Sequence, residues 1–165
     1  MNIREATDED FEQIWPIFHE VVLGGDTYGY RPDTSKDEAR YLWMRYPQQT
    51  YVAEEGGEVL GTYYLKRNQE GPGAHVCNCG YMVAGKARGR GLATTLCEHS
   101  QARALELGYQ AMQFNFVAAS NTAAVRVWTK LGFETVGRLP RAFRHPEQGL
   151  VDALVMFKWL DTDSA

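Results

Sequence analysis

The segment VCNCGYMVAGKARGRGLATTLCEHSQARALEL, Val76 to Leu107, decides the fold. Val76–Val83 is an apolar, β-compatible run, and Ala84–Gly91 is a short basic loop containing glycines. Leu92–Leu107 has helical spacing. At roughly 100° per residue, Leu92, Ala93, Leu96, Cys97, Ser100, Ala104 and Leu107 share one face, while Thr95, Glu98, Ala102 and Glu106 take the other. A strand, a glycine-containing turn and a helix start make an anion cradle. The first N–H groups of a helix lack internal partners, and the helix dipole favours negative charge there. Gly89 and Gly91 let backbone come close to a ligand, and Arg88 and Arg90 add charge-assisted hydrogen bonds to phosphate oxygens. By spacing alone, an ordinary strand-to-helix turn with surface arginines reads the same way.

Two nucleotide motifs do not fit. Gly89-Arg90-Gly91-Leu92-Ala93-Thr94 begins like a dinucleotide fingerprint, which wants a third small residue at position 94 and an acid about 20 residues on. The next strand, Tyr109–Asn115, carries no acid. A P-loop needs Gly-Lys-Ser/Thr at the helix start, whereas Lys86 precedes these glycines.

The loop Arg88-Gly89-Arg90-Gly91-Leu92-Ala93 resembles the Arg/Gln-x-x-Gly-x-Gly/Ala signature of the GCN5-related N-acetyltransferase superfamily. A second block, Asn121-Thr-Ala-Ala124-Val-Arg-Val-Trp128-Thr-Lys130-Leu-Gly132-Phe133, is similar to that superfamily's Asn-x-x-Ala-x-x-x-Tyr-x-Lys-x-Gly-Phe element. The resemblance runs from Ile3 to Leu160. Asn78-Cys-Gly-Tyr81-Met-Val83, Ala111–Val117 and the tail Gly137–His145 with Val151–Met156 further resemble the branch that contains fungal acetyltransferases of L-azetidine-2-carboxylate and related proline analogues.

Composition agrees with a globular protein. The 165 residues suit one domain spanning 1–165, and 44% hydrophobic against 23% charged residues suits a packed core. A net charge of −4 without a basic run argues against nucleic acid. No apolar run approaches the ~20 residues of a membrane span, and MNIREATDED lacks a signal-peptide core. Cys77, Cys79 and Cys97 read as core or near-core thiols in a reducing cytoplasm. The four histidines form no ligand cluster, so no metal is expected.

Along the chain, Asn2–Ala6 reads as an edge-type strand. Thr7 caps a helix whose face is Phe11, Ile14, Trp15, Phe18, Val21 and Val22, with Pro16 set to kink or divide it. Leu23–Thr34 is a glycine-rich loop carrying Tyr28 and Tyr30. Ser35–Glu38 is a capping box for a helix reaching about Tyr46. Thr50–Glu55 and Glu58–Arg67 form a hairpin across Gly56-Gly57, and Val76–Val83 completes a meander. In Gln110–Val117, Met112, Phe114 and Phe116 share one face, which suits core, and Gln113 and Asn115 share the other. Ala119–Leu131 is a helix capped by Ser120 or Asn121. Phe133–Leu139 and Val151–Trp159 are the last strands, with Pro140–Gly149 as a long loop between them.

The expected class is α/β: a central, mixed, mostly antiparallel sheet with helices on both faces. The two strands flanking the Leu92 helix should run parallel, because a helical crossover joins them. The resemblance implies that these strands splay and that acetyl-coenzyme A enters between them. It implies that the amides of Arg88–Ala93 take the pyrophosphate and that exposed backbone of Met82 and Val83 pairs with pantetheine. It also implies that an N–H near Met82 serves as oxyanion donor. Asn121 contacts the pantetheine arm, or acts as a helix cap, or both. Trp128 stands where many relatives carry a tyrosine acid. Indole is no acid, so Trp128 is expected to pack on cofactor or core. The acceptor pocket is expected to hold Tyr28, Tyr30, Asn78, Tyr81 and Asn115, with the Tyr81 hydroxyl making it more polar. Asn115, Asn121 and Met82 are the residues expected to act in catalysis. His75, Glu20, Asp26 and Tyr81 are bases by residue type alone.

The function implied is acetyl transfer from acetyl-coenzyme A to a small-molecule amine, an amino acid or its analogue, by direct attack in a ternary complex. A protein or peptide N-acetyltransferase, and a non-catalytic acyl-coenzyme A binder, stand as alternatives. The expected partner is the small-molecule amine acceptor, with no nucleic acid and no membrane, and with a homodimer left open.

Overall fold

The computed structural model describes residues 1–160. Its seven strands are β1 (Asn2–Glu5), β2 (Gln49–Glu55), β3 (Glu58–Arg67), β4 (Val76–Val83), β5 (Ala111–Ala118), β6 (Glu134–His145) and β7 (Gly149–Trp159). They form one sheet in the order β1-β2-β3-β4-β5-β7-β6. All neighbours are antiparallel except β4 and β5. The helices are α1 (Phe11–Gly24), α2 (Lys36–Arg40), α3 (Leu92–Glu106) and α4 (Thr122–Lys130). Trp43, just past α2, packs edge-on to Tyr64 at 4.9 Å between ring centroids. Tyr63, the next residue on β3, bonds His99 of α3 at 2.8 Å. Alternation along β3 therefore divides the helices: α1 and α2 cover one face of the sheet, α3 and α4 the other.

Both faces are sealed by apolar burial. Phe11, Ile14, Phe18 and Val22 of α1 are buried, as are Leu92, Leu96, Cys97, Ser100 and Ala104 of α3. The α3 set lies within the face expected from 3.6-residue periodicity. Gly61 lets α3 close on β3, since a Cβ there would stand 3.0 Å from Leu92 and 3.1 Å from Leu96.

Four local expectations are corrected. Pro16 does not divide α1, which is continuous from Phe11 to Gly24. Pro16 is exposed, so its ring faces solvent and its missing N–H breaks no buried contact. The second helix reaches Tyr46, but only Lys36–Arg40 is α-helical. Tyr41–Arg45 widens into a π-helical turn, ending in a Tyr46 N–H to Tyr41 carbonyl bond of 2.8 Å. Pro140–Gly149 is not a loop. β6 runs through it to His145, with an irregularity between Leu139 and Phe143 where Arg141 has φ 53°. Cross-strand pairing with β7 overrides the turn-like local composition.

Phe116 is the fourth. Met112 and Phe114 are buried, but Phe116 is 39% exposed. The register of β5 against β7 shifts between Phe114 and Val117, and this bulge turns Phe116 off the core face.

Candidate active site

The parallel pair β4–β5 is a fork. The strands pair only at Val76↔Ala111 and Cys77↔Met112. Asn78 braces the crotch, where the ladder ends. Its Nδ2 donates to the Gln113 carbonyl at 2.9 Å and its Oδ1 accepts from the Tyr64 hydroxyl at 3.0 Å. Beyond Asn78 no strand pairs with the β5-side edge of β4.

Which backbone groups face the fork is a matter of parity. The Ala84 N–H donates to Leu60 and the Val76 carbonyl accepts from Asn68, so even-numbered residues of β4 face β3. The backbone of Met82 is therefore committed to the β3 ladder, which corrects its expected place as oxyanion donor. Cys79, Tyr81 and Val83 turn their N–H and C=O groups to the fork. Tyr28 shows this directly, its hydroxyl donating to the Tyr81 carbonyl at 2.7 Å.

A cavity of about 880 Å³ follows the fork. Tyr28 and Tyr30 wall it from the α1–α2 connection, Asn115 and Phe116 from β5, and Asn121 and Trp128 from α4. Its floor includes Asn78, Tyr81, Met82 and Val83, and it reaches the α3 entrance at Arg88 and Ala93. Gly89, Arg90, Gly91 and Leu92 lie outside the cavity wall. Leu92 is 2% exposed, so its side chain belongs to the core and only its amide is left for a ligand. Gly89 and Gly91 take φ of 75° and 77°, a left-handed geometry that favours glycine. The first α3-type bond runs from the Thr95 N–H to Gly91, which leaves the amides of Leu92, Ala93 and Thr94 ahead of it. Arg88 pairs with Glu20 at 3.2 Å and Arg90 with Glu55 at 2.9 Å, both at the surface. These features fit a pyrophosphate, with an unpaired strand edge leading away from it as pantetheine requires.

The Tyr81 side chain is not where it was expected. Its hydroxyl lies 2.7 Å from Ser100 Oγ of α3, in the opposite layer from Tyr28 and Tyr30. Burial pushes its phenol well up, so it neither adds polarity to the acceptor end nor serves as a base. Trp128 is 8% exposed, with its ring 5.1 Å from Tyr81 and 5.2 Å from Phe114. It is core with one edge on the cavity. Tyr28 and Tyr30 stack at 5.6 Å, and burial raises the pKa of both.

Asn115 is exposed to the cavity. Its Nδ2 donates to Asn68 Oδ1 at 2.7 Å and its Oδ1 accepts from Gln113 at 2.8 Å. Asn121 caps α4, its Oδ1 accepting from the Ala124 N–H at 3.2 Å, and it also faces the cavity. Among the bases named by type, Glu20 and Asp26 line the cavity. His75 lies apart from it, its ring 6.2 Å from Trp159. Among the described residues no three His, Cys, Asp or Glu side chains gather as metal ligands. No helix there is long and apolar enough to cross a membrane.

Tyr64 and Lys66 enter the cavity without a motif to mark them. Only the register Lys66↔Asn78 brings this part of β3 to the fork. The one sequence signal is alternation, which puts Tyr64 and Lys66 on the opposite face from Tyr63 and Leu65.

The profile of the acetyltransferase (GNAT) family matches residues 5–133. N-acetyltransferase aca1 of Schizosaccharomyces pombe is 33% identical over 98 residues, covering 59% of this chain and 47% of that protein. Mycothiol acetyltransferase of Mycolicibacterium vanbaalenii is 38% identical over 85 residues, covering 50% of this chain and 28% of that protein. The matches thus span half or less of these curated relatives. A GCN5-related N-acetyltransferase from Kribbella flavida is 43% identical, superposes with a TM-score of 0.91, and covers 96% of each chain. The fold is also that of yncA from Salmonella typhimurium, solved with acetyl-CoA, at a TM-score of 0.82 and 24% identity over 100% of this chain and 96% of that one.

Proposed function

The chain belongs to the acetyltransferase (GNAT) family, and from that premise we propose that it transfers acetyl from acetyl-coenzyme A to the amine of a small molecule, an amino acid or an amino-acid analogue. The carrying observation is the fork: an unpaired β4 edge that runs from an aromatic, polar-floored cavity to the anion cradle of α3. Acetyl-coenzyme A supplies an activated acetyl thioester, and the free amine attacks it directly while both are bound, so that the amide C–N bond forms as the C–S bond breaks and the proton lost by the amine balances release of coenzyme A as its thiol. The amides ahead of the first α3 hydrogen bond hold the pyrophosphate. Fork-facing groups of Tyr81 and Val83 bind the pantetheine arm and offer the N–H that stabilises developing negative charge. Asn121 adds a polar contact to the arm while capping α4.

Tyr28 and Tyr30 close the acceptor end, which favours a small acceptor over a peptide laid along an open groove. Asn78 acts as a brace, since it is buried with both ends of its amide bonded across the crotch, whereas Asn115 is exposed to the cavity. Asn115 orients the acceptor. The resemblance to the proline-analogue branch in Asn78–Val83 and Ala111–Val117 supports the amino-acid reading. Release of coenzyme A thiol, measured against amino acids, proline analogues and short peptides, tests it. Acetylation of free amino acids or their analogues is expected. Turnover with peptides alone would overturn the acceptor class, and coenzyme binding with no turnover of any amine would overturn the activity.

A further inference from the structure

Four ionisable side chains besides the tyrosines and cysteines line the cavity: Glu20, Asp26, Lys66 and Arg88. Arg88 is neutralised by Glu20 at the cradle end. Lys66 stands at the other end, opposite Asn78 in the β3–β4 register, where the fork closes. Among the described residues no carboxylate pairs with it. Its Nζ instead lies over two ring faces, 4.7 Å from the Tyr46 centroid and 5.3 Å from that of Tyr64. Burial lowers its pKa, since the charged form has lost part of its water. Tyr30 and Asn115 line the same cavity. Among the described residues, then, one cation of the cavity lining has no carboxylate partner and lies beside two aromatic rings, where the fork closes.

We infer that Lys66 is the carboxylate anchor of the acceptor, so that the enzyme selects amines that carry a carboxylate. The inference rests on the small-molecule reading above and narrows it. A carboxylate at Lys66 pairs with a cation that the protein leaves unsatisfied, and a charge-assisted bond of this kind is stronger than a neutral one. A cation at one end of the substrate leaves the amine free to turn toward the fork-facing groups of Tyr81. Replacing carboxylate by carboxamide keeps size and removes the charge. The predicted preference is therefore electrostatic.

The test uses matched probes: L-leucine and L-leucinamide, L-proline and L-prolinamide, 4-aminobutanoate and 4-aminobutanamide. KM and kcat are measured by thiol release for the wild type, Lys66→Met and Lys66→Arg. The wild type is expected to turn over an acid with a KM at least about tenfold below that of its amide. Lys66→Met should abolish that preference by raising KM for the acid alone, with KM for acetyl-coenzyme A unchanged, and Lys66→Arg should restore it. A wild type that accepts amides as readily as acids overturns the anchor while leaving acetyl transfer standing. So does an acid preference that survives in Lys66→Met. If no probe of either kind is acetylated while acetyl-coenzyme A binds, the anchor falls together with the proposed function.

Discussion

Trp128 carries no acidic proton, and its ring is locked between Tyr81 and Phe114, so it contributes packing. Trp128→Phe should lower folding stability by about 1–2 kcal/mol and leave kcat within about tenfold. A loss of kcat in the 10²–10⁴ range at unchanged acetyl-coenzyme A affinity would make the indole a proton donor after all. Asn115 differs from Asn78, although both are asparagines beside the fork. Asn78 is buried with both ends of its amide engaged across the crotch. Asn115 is exposed, and its bonds to Asn68 and Gln113 set its orientation. Asn115→Ala should raise acceptor KM roughly three- to tenfold, the worth of one hydrogen bond of about 0.5–1.5 kcal/mol, and leave the calorimetric affinity for acetyl-coenzyme A unchanged.

The α3 entrance is an element-scale device, because its amides act only when the loop and the helix start share one geometry. Gly91 has φ 77° and a Cβ there would meet nothing within 4 Å, so substitution perturbs backbone conformation with no steric clash. Valine resists that conformation at a cost of about 1–3 kcal/mol. The loop should therefore reshape locally while the sheet and helices persist. Gly91→Val is expected to weaken acetyl-coenzyme A at least about tenfold, ~1.4 kcal/mol, by calorimetry. Unchanged affinity in the folded variant would move the pyrophosphate elsewhere.

At the scale of the molecule, Arg4 ties three elements. It bonds Asp10, at the entry to α1, at 2.7 and 2.9 Å, and Glu54 of β2 at 2.7 Å. The guanidinium holds the nearly buried Asp10 carboxyl down from 3.8 to about 2, helped by the Thr7 N–H and hydroxyl and opposed by burial. A pKa lowered in the folded state stabilises the protein fully above the unfolded value, and this is lost as pH falls through the folded one. The linkage is worth about 2 kcal/mol near neutrality. Asp10→Asn should therefore lose about that much in urea unfolding at pH 7. The gap from wild type should narrow between about pH 4.5 and pH 2. A gap independent of pH would mean that the loss is one of packing alone.

Local periodicity was enough to reveal most of the elements. The α3 face, the Gly56-Gly57 hairpin, the β1 edge and the parallel β4–β5 crossover were all legible, because spacing and turn chemistry act between near neighbours. So were the left-handed glycines Gly89 and Gly91 and the free amides at the start of α3, which belong to one local turn. Partners far along the chain decided the rest. The bulge against β7 turned Phe116 from core to cavity. The β3 register committed the Met82 backbone and brought Lys66 to the fork. Packing against α3 drew the Tyr81 hydroxyl to Ser100. β6–β7 pairing made strand of a stretch rich in turn formers. In a sheet, the face of a side chain has period two and can be read from the chain itself. Which helix covers that face, and which edge stays unpaired, depends on strands tens of residues away.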